Sequence, residues 1–323
     1  MTDQQLTGQE KQTLPMSFSA IVEKSYHRFL SESTKEGMEK VILTIAIFSY
    51  LIHLLVIFIN SQGGLNLQEK FFANPIAAIY TPFSFILVYE VYLLLYFLPK
   101  SITIYIGKQY EIITLIVIRR IFKDIAYLEL ESDWFQNQND LQFTFDAITS
   151  LLLFFFIFLF YKNIEKKQYK SIEKVDNRGK NIKRFVQLKK SLATILVPVL
   201  VILGGYTFLH WGYVTYQDYH DGIMEFKKIN NVFYDEFFTI LIVVDVLLLL
   251  SSFYYSDKFY KIIRNSGFVI STILIKISFL SKGLINNALI LSAVLFGLLV
   301  LIIHNLYEKN EQAESLLIKD TSG

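Results

Sequence analysis

The run KVILTIAIFSYLIHLLVIFIN, residues 40–60, decides what kind of protein this is. Its one charge, Lys40, stands at the edge, and no other Asp, Glu, Lys or Arg follows before residue 60. About 20 apolar helical residues cross the hydrocarbon core of a bilayer. A helix that is apolar on every side has no wet face to show to water. Comparable runs recur at 77–98, 143–161 (FTFDAITSLLLFFFIFLFY), 191–213, 234–255 and 284–304, with two weaker ones carrying internal charge at 101–122 and 260–281. With 53% hydrophobic and only 19% charged residues, the chain lies on the apolar side of the soluble average of about 45–50% and 25%. The fold class expected is an all-α polytopic integral membrane protein of about eight transmembrane helices.

The loops between these runs differ in charge. Segment 162–190 holds eleven Lys and Arg against three acids, Glu165, Glu173 and Asp176. Segment 123–142 holds one Lys against five acids, and 214–235 two Lys against Asp218, Asp221, Glu225 and Asp235. Cytoplasmic loops carry the excess of Lys and Arg, so 162–190 is expected inside and the other two outside. Eight spans with both termini in the cytoplasm satisfy this; six satisfy it less consistently. No apolar stretch follows a basic start at the N-terminus, so no cleavable signal peptide is expected. Residues 16–30 place Phe18, Ile21, Val22, Tyr26 and Phe29 near one helical stripe. They read either as an interfacial helix or as a helix packed on the bundle. The tail 305–323 is expected to be partly disordered.

An internal repeat organises the rest. VYEVYLLL (88–95) and VVDVLLLL (243–250) align at an offset of about 155 residues, and TLIVIRRIF (114–122) and STILIKISF (271–279) at about 157. His53 and His210 share that second spacing. The division expected is an N-terminal cytoplasmic segment 1–39, a four-helix unit 40–161, a basic linker 162–190, a second four-helix unit 191–304 and a cytoplasmic tail 305–323. Four spans per unit is an even number, so the units would be parallel repeats about an axis along the membrane normal.

Glu90 and Asp245 take corresponding places near the middle of the second and sixth spans. Ionisable residues in a span face the bundle interior, pair, and mark ion or proton paths; as structural residues they would only fix helix register. The functional reading is preferred for both. Lys108, with Glu111 one turn above it, is expected opposite Glu90 at similar depth. Arg119 is expected to meet Asp146 at the outer start of the fourth span. In the second unit, Lys276 takes the place of Arg119 and Asn287 that of Asp146, while Arg264 is a candidate partner for Asp245. For Arg119, Arg120 and Lys276 the structural reading, long cations snorkelling near a helix end, is preferred.

Other chemistry is largely excluded. With no cysteine there are no disulfides, thiolate metal sites or cysteine nucleophiles. The five histidines are scattered, so no metal or other cofactor is expected. A net charge of +2 argues against nucleic acid as a partner. No phosphate loop or nucleophile elbow is present, so an enzyme is not expected. HWGYVTYQDYHDG (210–222) reads as an aromatic belt and outer loop, Gly63–Gly64 as a turn, Gly204–Gly205 as a close helix contact and Pro198 as a kink. The expected function is movement of an ion or small solute, by transporter or channel, along a path near Glu90 and Asp245 with Lys108 and Glu111 beside it. The alternative is a membrane sensor or scaffold whose basic linker docks a cytoplasmic partner or anionic lipid. The partners expected are the bilayer, a small ion or proton and, in a homo-oligomer, further copies of the chain. The location expected is the cytoplasmic (inner) membrane.

Overall fold

The computed structural model describes residues 18–63, 75–125, 128, 138–164, 180–220, 229–255 and 259–321. Their regular elements are all helical: α1 (Phe18–Phe29), α2 (Glu32–Ser61), a 3₁₀ turn (Pro75–Ile79), α3 (Tyr80–Phe97), α4 (Ile102–Ile125), α5 (Gln138–Asn163), α6 (Lys180–His220), α7 (Ile229–Tyr255), α8 (Phe259–Leu280) and α9 (Gly283–Thr321). Local sequence explains several boundaries. Ser31 caps α2, its side chain accepting from Thr34 N at 3.2 Å. Gly63, at φ 77°, adopts the left-handed conformation that ends α2, and Gly283, at φ 62°, turns α8 into α9. α6 runs through Pro198 unbroken. α9 continues to Thr321, so residues 305–321 are helical where partial disorder was expected.

Six helical stretches are long and apolar enough to cross a membrane: Val22–Ser61, Asp140–Asn163, Arg184–Tyr206, Glu236–Phe253, Phe259–Leu280 and Gly283–Glu311. Two expectations change here. The run 260–281, weak in sequence, is a full-length apolar helix, whereas in 77–98 the 3₁₀ turn leaves a shorter one, Thr81–Phe97. α4 is not among the six. It is the helix most enclosed by protein, with Ile104, Tyr105, Ile106, Tyr110, Ile112, Ile113 and Val117 buried. A helix shielded from lipid by its neighbours does not have to be apolar throughout.

Successive helices pack on each other from α2 to α5 and again from α6 to α9. The two series meet where α5 packs on α9, α4 touches α8, and α3 touches α6. The outside of the bundle is apolar, with Ile47, Phe48 and Ile52 on α2, Leu151 and Phe158 on α5, and Val201 and Ile202 on α6 all exposed. Exposed apolar surface on this scale marks an interaction with lipid or protein, and the architecture is that of a multi-pass membrane protein. α1 packs on α6, where Lys190 Nζ donates to Glu23 Oε1 at 2.7 Å and lies over the Tyr26 ring. The helix at 18–29 is thus packed on the bundle, as one of the two readings for 16–30 expects.

Three glycines sit at tight helix contacts. A Cβ at Gly107 would meet the Tyr161 ring of α5, at Gly267 the Val300 side chain of α9, and at Gly297 the Tyr110 hydroxyl of α4. Small residues of this kind let membrane helices approach closely. Gly205 has open space beside it, so no close contact forms there.

Candidate functional site

α4 carries polar groups toward two neighbours at once. Gln109, fully buried, donates from Nε2 to Asp245 Oδ2 on α7 at 3.1 Å, and Thr272 on α8 donates to Gln109 Oε1 at 2.9 Å. Thr272 thus fixes the carboxamide so that its NH₂ faces the acid. Asp245 is itself buried. Its polar neighbours are Gln109, Tyr105 and Thr272, all neutral. A narrow crevice beside the carboxylate is lined by Tyr105, Asn265, Leu248 and Phe268. Arg264, the expected partner of Asp245, is engaged elsewhere. Its Nε and Nη2 donate to Asn265 Oδ1 at 3.2 and 3.0 Å, and Nη1 stands 3.0 Å from His304 Nε2 on α9.

Glu90 is half-buried on α3, and its Oε2 is enclosed without a hydrogen-bond partner. Lys108 does not bond to it. Instead Lys108 Nζ donates to Glu111 Oε2 at 2.5 Å on its own helix, and Tyr161 of α5 donates to Glu111 Oε1. The (i, i+3) spacing on one helix face brings Lys108 and Glu111 together without any tertiary requirement, and this local pairing prevails over the one across α3 and α4.

A second polar cluster lies at the opposite end of the bundle. Arg120, not Arg119, meets Asp146. Its Nε donates to Asp146 Oδ2 and its Nη2 to Oδ1, the latter at 3.0 Å. Nη1 and Nη2 also reach Asn286 Oδ1 and Asn287 Oδ1 at 2.7 Å each. Asn287 Nδ2 and Gln142 Nε2 complete the coordination of Asp146 Oδ1 at 2.6 and 2.7 Å. Neighbouring residues point about 100° apart around a helix, so only one of the two arginines can face α5 and α9. Arg120 is therefore a cross-link of three helices rather than a snorkelling end. Asn287, expected to replace Asp146 in the second unit, bonds to it directly. Arg119 is buried on α4 and Lys276 is half-buried on α8.

Sequence reasoning passed over Gln109, Tyr105, Thr272, Asn286 and His304. Neutral polar residues inside otherwise apolar runs were the available pointer, since each needs a partner away from water. No group of three or more His, Asp or Glu placed to hold a metal ion exists among the described residues. The patch 210–222 lies outside the described side chains apart from the exposed Tyr213. No protein family, curated protein or solved structure matches this chain.

Proposed function

We propose that the protein moves an ion or small solute across the cytoplasmic membrane, with Asp245 and Glu90 on or beside the path and Lys108 and Glu111 next to Glu90. The observation that carries this is Asp245: a carboxylate buried at mid-helix, held by a neutral amide and bordering a crevice. An acid kept only to hold helices together would be expected to face a cation, because a buried unpaired charge is costly. An acid that takes up and releases a proton or a cation needs neutral neighbours and access. Glu90 also has an enclosed oxygen without a hydrogen-bond partner, with Lys108 and Glu111 as charged neighbours. Arg120, Asp146, Arg264, Arg119 and Lys276 then serve as charge partners and helix cross-links.

The chain would cross the membrane eight times as two parallel four-helix units, 40–161 and 191–304. The matching neighbour order within α2–α5 and α6–α9 supports this, as do the self-paired contacts α5 on α9 and α4 on α8. Contacts of Glu32 with Tyr96, Glu23 with Lys190 and Asn163 with Asn305 gather one set of helix ends on one face of the bundle. That face includes both ends of the basic linker, at Lys162 and Lys190, and would be cytoplasmic.

Flux in liposomes tests the proposal. The purified parent should pass protons or small cations, and Asp245→Asn and Glu90→Gln should fold yet lose flux. A silent parent across protons, alkali cations and small solutes would favour a sensor or scaffold. In that case the α1–α6 contact would tie the N-terminal segment to the basic linker.

A further inference from the structure

The hydrogen-bonding partners of Asp245 are side chains of two other helices, Gln109 and Tyr105 of α4 and Thr272 of α8. Tyr105 is buried and bonds to Gln109 as well. Thr272 donates to Gln109 Oε1, which leaves the amide NH₂ for Asp245 Oδ2. Among the described residues no charged side chain acts on this carboxyl. The titratable groups that face it are Tyr105 and Tyr110, both on α4. On α8, Arg264 is turned away toward Asn265 and His304. α6, which also packs on α7, brings apolar side chains such as Ala193 and Leu196 to the core.

The crevice beside Asp245 lies toward one end of the bundle. Of its lining residues, Leu248 and Leu249 follow Asp245 on α7, and Ile102 and Ile106 belong to the first turns of α4. This is the end where Lys189 reaches Lys100 O and Asn305 reaches Asn163 O. In the other direction the same three helices are closed by buried apolar side chains, Leu241 and Phe238 on α7, Ile113 and Val117 on α4 and Ile275 on α8. The Phe238 ring also packs on Phe279 of α8 at 5.0 Å. The space is roughly that of one water molecule, which leaves no room for an organic solute. A hard metal cation takes about six oxygen ligands, and this pocket offers too few. A proton needs a single lone pair, and one water suffices to deliver it.

We infer that Asp245 is a reversible proton-binding site, reached by water through the crevice between α4, α7 and α8, with Gln109 and Tyr105 positioning the carboxyl. A proton from bulk buffer adds to the carboxylate and leaves it neutral; its release restores the anion. The inference names the proton as the ion of the proposed function, and rests on that reading only in treating Asp245 as a working group. Infrared difference spectroscopy of the purified full chain, across the pH range in which it stays monodisperse, tests it without requiring flux. The carbonyl stretching band of a protonated carboxyl should grow as pH falls, shrink as pH rises, and be missing from Asp245→Asn. Gln109→Leu removes the donor to Oδ2, while Thr272 keeps its 3.1 Å bond to Phe268 O. With that hydrogen bond gone the band should move to higher frequency, which loss of packing alone would not cause. Tyr105→Phe, which keeps the ring, should displace the band as well. Absence of a titrating band that Asp245→Asn removes would overturn the assignment. So would a band constant at every pH, the mark of an acid held permanently neutral, or one that neither substitution moves. A titrating band in a protein that passes no protons in liposomes would keep the site and remove the transport reading. Flux of alkali cations without a titrating Asp245 band would do the reverse.

Discussion

Replacing Gly297 with alanine should destabilise this protein, although alanine is the better helix former by about 1 kcal/mol. A Cβ at that position would overlap the Tyr110 hydroxyl, stand 2.8 Å from Tyr110 Cζ and lie 3.3 Å from Ser271 Oγ. Tyr110 has little room to retreat. It is fully buried, its ring packs edge-on to Phe160 at 5.1 Å, and its hydroxyl shares a 2.8 Å hydrogen bond with Ser271. Overpacking of a tight core costs about 1–3 kcal/mol, and displacement of the tyrosine loses a buried hydrogen bond worth about 1 kcal/mol. Set against the propensity gain, the net loss is about 1–3 kcal/mol. At about 2–4 °C per kcal/mol, the Tm falls by several degrees. Tyr110→Phe removes the overlapping oxygen while Ser271 keeps its 2.7 Å bond to Ala293 O. The double variant should therefore lose less than the sum of the single ones, by about 1 kcal/mol. Gly37→Ala on α2, with nothing within 4 Å of its Cβ, supplies the opposite sign and should be neutral or stabilising. Heat challenge followed by size-exclusion chromatography in detergent measures all four variants against the parent. A Gly297→Ala variant as stable as the parent, or strict additivity with Tyr110→Phe, would refute the close packing of α4 on α9.

Arg120→Met should cost about 3–5 kcal/mol, because it leaves the Asp146 carboxylate buried without its cation, and Asp146→Asn added to it should recover part of the loss in the same thermal assay. Arg120→Lys should not substitute, since one ammonium cannot reach Asp146, Asn286 and Asn287 together; a Lys variant of parental stability would contradict the cluster. Glu90→Gln should leave stability within about 1 kcal/mol, because Lys108 already has Glu111. A loss of several kcal/mol rescued by Lys108→Met would restore the pairing across α3 and α4. For topology, Arg184→Cys should resist an impermeant thiol reagent in intact cells and Gln62→Cys should react, the chain being otherwise free of cysteine; labelling of the former would invert the orientation.

The apolar runs that build α2, α5, α6, α7 and α9 were legible in the chain because lipid imposes one simple demand, about twenty residues without charge. Glu90 and Asp245 drew attention in the same way, since an acid in such a run stands out against its surroundings. Caps and turns were legible where a single residue governs the backbone, as at Gly63. The partners were not. Arg119 and Arg120 are adjacent in sequence, and only the rotation of α4 against α5 and α9 selects Arg120 for Asp146. Lys108 was assigned to Glu90 by depth alone, yet a charge of opposite sign one turn away on the same helix was closer. Gln109 looked unremarkable beside Lys108, but it is the residue that α4 presents to Asp245, and Thr272, more than 160 residues further on, decides which way its amide points. Hydropathy is a sum along the chain, so sequence by itself determined which segments leave water. Hydrogen bonds depend on distance and direction between segments, so only the tertiary structure decided which polar group answers which.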